Sequence, residues 1–87
     1  MNTMFDSVKY KQHYLNEFKY LTNQELAETF NSKVGIRYFN FVIQGFMDAM
    51  REEFERRGLD YSTIGNKMSM SYANKIKILD ARITLNH

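Results

Sequence analysis

Apolar side chains recur most strongly between Ile36 and Gly58 (IRYFNFVIQGFMDAMREEFERRG), a run that contains no proline. Phe39, Ile43, Phe46, Met50 and Phe54 step by three or four, the mark of a core-facing side. Tyr38, Phe41, Gly45 and Ala49 form a second stripe at the same spacing. A helix that is apolar on two sides is surrounded rather than laid on a surface. The spacing therefore predicts a helix over 36–57 that serves as the hub of the fold. Its last turns are polar, with Glu52 before Arg56 and Glu53 before Arg57 in the favourable i,i+4 order. Gly58 supplies a left-handed stop, and Leu59 is placed to touch Phe54 as in a Schellman ending. These turns read as a charged, solvated extension of the hub.

Two further helices precede it. Over about 5–20, Tyr10, Tyr14, Phe18 and Leu21 follow one stripe with Val8 and Leu15 beside it, and either Thr3 or Asp6 is able to cap the start. Over about 23–31 the signal is sharper. Thr22 followed by Glu25 is a capping box, and Leu21 with Leu26 makes a hydrophobic staple. That helix buries Leu26, Phe30 and Ala27, and Asn31 is placed to end it in a left-handed conformation. After Gly58 the chain gathers Asp60, Ser62, Thr63, Gly65 and Asn66, a connection rich in turn formers.

The final stretch carries two periodicities. With period two, Ile76 and Ile78 alternate with Lys75 and Lys77, and Ala81, Ile83 and Leu85 alternate with Arg82 and Thr84. The phase breaks at Leu79-Asp80, as a tight turn requires. With period 3.6, Tyr72, Ile76, Leu79 and Ile83 form a helical stripe instead. The β-branched content favours a hairpin with strands at about 75–79 and 82–85. The expected fold is thus α+β and mainly helical, one domain over 1–87; the alternative is all-α with a fourth helix.

Composition narrows the function. Eighty-seven residues without a cysteine leave packing, and association with a second chain, as the sources of stability. Seven Phe, six Tyr and six Met supply large and adaptable apolar units. Residues 1–60 hold eight Lys and Arg against nine Asp and Glu, while 61–87 hold four against one. The net charge of +2 is too small to imply a nucleic-acid partner by itself. The longest uninterrupted apolar run, Phe41-Val42-Ile43, is far too short to span a bilayer. The first residues lack the apolar stretch of a signal peptide, so the expected location is cytoplasmic, with no membrane partner.

Little in the residues asks for catalysis, and no cofactor or metal is expected. His13 and Glu17 stand at i,i+4, but the further ligands a metal needs are missing, and His87 is the last residue. Asp48, Glu52, Glu53 and Glu55 have arginines at helical spacing, which favours charge pairing over acid–base work. The leading expectation is a small non-enzymatic interaction or regulatory module that binds another protein or itself, with a homodimer as one form. Gly45 mid-helix costs about 1 kcal/mol relative to alanine, and with Ala49 it makes a notch that another helix can approach. The candidate protein interface is Tyr38, Phe41, Gly45 and Ala49; the alternative occupant of the notch is a helix of the same chain.

A second expectation comes from a resemblance. Thr22-Asn23-Gln24-Glu25-Leu26-Ala27-Glu28-Thr29-Phe30 resembles the first helix of helix-turn-helix proteins, where a capped start precedes Glu-Leu-Ala. The resemblance implies a small DNA-binding regulator using residues 22–44, with Arg37, Asn40 and Gln44 as base-reading candidates. Lys67, Lys75, Lys77 and Arg82 are the candidates for backbone contacts.

Overall fold

The computed structural model describes residues 3–86; His87 lies outside them. Helix α1 spans Thr3–Phe18, α2 Asn23–Asn31 and α3 Phe41–Arg56, followed by strands β1 Ile76–Leu79 and β2 Arg82–Leu85. The order is the expected one, α+β and mainly helical, and the C-terminal stretch is a hairpin rather than a fourth helix.

The seam between α1 and α3 is the largest packing surface. Tyr10 lies against Gly45, the Tyr14 ring meets Phe46 at 5.3 Å, and the Phe18 ring meets the same Phe46 at 5.3 Å. At the far end Arg57 reaches the Phe18 carbonyl. Contacts thus advance in the same sense along both helices. Ala49, at 0% exposure, and Gly45 occupy this seam, so α1 of the same chain fills the small-residue notch. Phe46 of the seam, with Met50 and Phe54 of α3, joins Leu26 and Phe30 of α2 and Ile76 and Ile83 of the hairpin in one core.

Helix α2 starts as its sequence requires. The Thr22 hydroxyl accepts from the Glu25 amide at 3.1 Å, and the Glu25 carboxylate accepts from the Thr22 amide at 2.8 Å. Helix α3 ends with the expected Schellman pair, Leu59 donating to the Phe54 carbonyl and Gly58 to the Glu55 carbonyl, with Gly58 at φ +69°.

Three expectations need correction. The third helix begins at Phe41, not Ile36. Gly35 adopts φ +81° and donates to the Tyr72 carbonyl, tying the segment before α3 to the C-terminal part of the chain. Asn40, in extended conformation, then accepts from the Ile43 amide at 2.9 Å and fixes the helix start. Phe39 therefore leaves the core stripe and is 65% exposed.

Asn31 does not end α2 in a left-handed conformation, since Asp80 is the one non-glycine with positive φ among the described residues. Its side chain works across the fold instead. Asn31 Oδ1 accepts from the Ile76 amide at 2.8 Å, and its Nδ2 donates to the Ile76 carbonyl at 2.9 Å. The carboxamide thus occupies the outer edge of β1 as one peptide unit of a third strand would.

The end of α3 is not uniformly solvated. Glu53 is 1% exposed, held by Arg56 and Arg57, and Arg57 also donates to the carbonyls of Phe18 and Leu21 and to Asn23 Oδ1. Sequence spacing identified the Glu53–Arg57 pair but not its direction, which is inward. Arg57 thus shares the Phe18 carbonyl with the Leu21 amide and takes up the Leu21 carbonyl, so the ion pair joins α3 to the α1–α2 turn.

In the hairpin, Ile76 pairs with Leu85 and Ile78 with Ile83, all on the face toward the helices. Asp80 and Ala81 form the turn, with Asp80 at φ +55°, a conformation Asp tolerates. The outer edge of β2 is met by Asp60, whose carbonyl accepts from Ile83 at 2.9 Å. Both edges of a hairpin too small to be stable alone are thereby partly covered.

Candidate functional site

The sequence-derived interface divides in two. Gly45 and Ala49 are buried beneath α1, whereas Tyr38 is 62% and Phe41 41% exposed. The split follows from the true start of α3. With Asn40 as cap, Tyr38 and Phe39 lie on a non-helical approach segment, free of the helix that would have turned Phe39 into the core.

Of these exposed residues, Phe39 lines an open cleft of about 220 Å³ on the side of α3 away from α1. Phe39, Met47, Asp48, Arg51, Met68 and Tyr72 line it. Met68 is 88% exposed. Its loop is held by Asn66, whose side-chain oxygen accepts from the amides of Met68 and Ser69. Phe41, Gln44, Asp48 and Arg51 recur at helical spacing, so Phe41 heads the same stripe of α3 that borders the cleft. Sequence reasoning missed Phe39, Met47, Met68 and Tyr72 as members of this surface. The signal for Phe39 was present: Asn40 before an apolar run is a helix-cap pattern.

The polar groups of the cleft are sparingly used. Gln44 donates to Asp48 Oδ1 at 2.8 Å, and Arg51 meets the same oxygen at 3.3 Å by a single bond rather than a bidentate one. The Tyr72 hydroxyl is buried without a hydrogen-bond partner among the described residues. Burial raises its pKa far above the ordinary phenol value, so it stays protonated. The Tyr72 ring stacks on Phe30 at 4.2 Å, which fixes its place at the junction of cleft and core.

The nucleic-acid candidates are dispersed. Arg37 and Asn40 lie between α2 and α3, where residues 32–40 take the place of the three- to four-residue turn of a helix-turn-helix. The Asn40 side chain caps α3 and the Gln44 amide bonds Asp48, so both are engaged within the chain. Lys67, Lys75, Lys77 and Arg82 are exposed along the connection and the hairpin. Arg82 sits beside Asp60 in an isolated bridge.

His13 Nε2 lies 3.3 Å from Glu17 on an exposed face. Among the described residues, no three His, Cys, Asp or Glu side chains are grouped to hold a metal. Glu52 pairs with Lys11 of α1 at 2.6 Å, and Glu55 accepts from the Tyr61 hydroxyl at 2.6 Å. A shallow opening of about 570 Å³ lies at the hairpin turn between Asp60, Asp80 and Arg82. There the Asp60 carboxylate accepts from the Ser62 amide at 2.9 Å, which lowers its pKa. No helix of the described residues is long and apolar enough to cross a membrane. Compared with known proteins, the chain matches no family model, no curated protein and no solved structure.

Proposed function

We propose that this protein is a small non-enzymatic interaction module that works in regulation by binding another protein or itself. The observation that supports the reading is the pair of exposed residues Phe39 and Met68 on the cleft, with exposed Tyr38 and Phe41 beside Phe39 in the chain. Taking about 200 Å² per aromatic side chain, Tyr38, Phe39 and Phe41 leave roughly 350 Å² in contact with water. Patches of that size on small proteins are commonly functional. Methionines beside aromatics give a surface that adapts to what it meets. The absence of cysteine fits a reducing compartment, and we place its action in the cytoplasm.

The test is recovery of bound protein on the tagged chain, together with its mass in solution, before and after Phe39→Glu. The reading expects a second copy or a distinct partner to be held and to be lost in the variant. Absence of both, or binding indifferent to Phe39→Glu, would refute it. Salt-sensitive retention of duplex DNA in place of protein would instead support a nucleic-acid regulator.

A further inference from the structure

Resting on that reading, we infer that the cleft face of α3 is a self-complementary surface, and that its occupant is a second copy of this chain. The argument is one of charge and area. A two-fold interface brings the same patch together twice, so residue i of one copy meets residue j of the other and the reverse. A patch of a single charge sign repels itself in that arrangement. This one carries both signs side by side, Asp48 and Arg51, at 28% and 22% side-chain exposure. The two share one bond at 3.3 Å, which leaves Arg51 donors and the second Asp48 oxygen without partners among the described residues. Across a two-fold axis, Arg51 of each copy faces Asp48 of the other and completes the pairing in duplicate.

The apolar surroundings fit the same geometry. Phe39 and Met68 both line the cleft and are 65% and 88% exposed, so each is available to pack against the cleft lining of the other copy. Exposed aromatic area near 350 Å² is less than the ~800 Å² per partner of a standard interface. The dimer is therefore an apolar and charged centre with a polar rim, and it dissociates on dilution. The seam on the opposite side of α3 is closed by α1, which leaves this face as the one α3 offers to a second copy.

The experiment uses the whole chain and pairs charge variants. Light scattering across a concentration series is expected to show a mass rising from 10.4 kDa toward twice that value. Asp48→Arg alone, or Arg51→Asp alone, places like charges across the axis and is expected to hold the chain at one mass. Mixing the two variants is expected to restore the doubled mass, because each supplies the sign the other lacks. Phe39→Glu and Met68→Glu, both at exposed positions, are expected to give monomers with unchanged helical circular dichroism. The inference is overturned if the unmodified chain stays monomeric at millimolar concentration, if the single charge variants still dimerise, or if the mixture fails to re-pair. A strictly monomeric chain that still captures a distinct protein through Phe39 overturns the self-pairing alone and leaves the interaction reading standing.

Discussion

Gly45→Ala is the sharpest test of how α1 and α3 meet. At a solvent-facing helix position this change stabilises by about 1 kcal/mol, because alanine is the better helix former. Here the added methyl would lie 2.6 Å from Tyr10 Cβ, 2.7 Å from the Lys11 amide nitrogen and 2.9 Å from the Tyr10 carbonyl carbon. Ordinary carbon contacts begin near 3.5 Å, so the helices must part by somewhat under 1 Å. Two of the three obstructing atoms are backbone, and no rotamer change moves them aside.

Such a gap forfeits a quarter to a half of the dispersion attraction between the atoms it separates. That loss falls on contacts such as Tyr14 and Phe18 against Phe46. Overpacking of this kind costs about 1–3 kcal/mol, which outweighs the propensity gain. The expected net result is a destabilisation of about 1–2 kcal/mol, and Gly45→Leu is expected to lose more. Urea denaturation reads it as a lower midpoint at unchanged slope. A midpoint that rises by the propensity increment would mean that α1 does not cross α3 at Gly45, and the account of the seam would be wrong.

Three other changes probe separate parts of the fold. Burial works to raise the Glu53 pKa, but the hydrogen bonds and charges of Arg56 and Arg57 outweigh it and hold the carboxyl below its ordinary value of 4.5. A depressed folded pKa means stability that is present above the unfolded value and lost as pH falls through the folded one. Glu53→Gln is thus expected to cost about 3 kcal/mol near neutral pH, the scale for breaking a buried pair, and progressively less in acid; a penalty independent of pH would disprove the charge argument. Asn31→Ala removes both bonds to Ile76 and is expected to cost about 1–3 kcal/mol, with hydrogen exchange accelerating in β1; unchanged exchange there would show that the edge is held by something else. Tyr72→Phe deletes a hydroxyl that has no partner and is expected to be neutral or to stabilise by up to about 1 kcal/mol; a clear loss of stability would reveal a bond that the geometry lacks.

The legible parts of this chain were those written in local spacing. The capping box at Thr22, the Schellman ending at Gly58 and the period-two pattern after Lys75 each involve residues within a few positions of one another. Each formed as its chemistry dictates. What could not be read locally were choices settled by distant partners. Asn31 and Ile76 stand 45 positions apart, and Arg57 and Phe18 39 apart. Periodicity placed Glu53 near Arg57 without saying that both turn inward, because i,i+4 spacing is the same on a wet face and a dry one. The start of α3 was misplaced for a related reason. Ile36 to Asn40 continues the apolar spacing, and only the capping competition at Asn40 overrules it. The interface expectation inherited that error, which is why it joined buried Gly45 to exposed Tyr38.

The two charge pairs on α3 now separate what holds the fold from what is available for recognition. Glu53 with Arg57 lies inside, at 1% and 14% side-chain exposure, and anchors the α1–α2 turn. Asp48 with Arg51 borders the cleft, in reach of solvent and of a second molecule. Mobile ions screen charges that water can reach and act far less on those it cannot. Raising salt until the Debye length falls from about 10 Å to about 3 Å should therefore leave the denaturation midpoint of the Asp48→Arg and Arg51→Asp variants close to that of the unmodified chain. Over the same range their mutual affinity should drop, since opposite charges across an accessible interface supply it. Equal salt sensitivity of folding and of pairing would place both ion pairs in one electrostatic environment, and the division of α3 into a structural and a recognition side would fail.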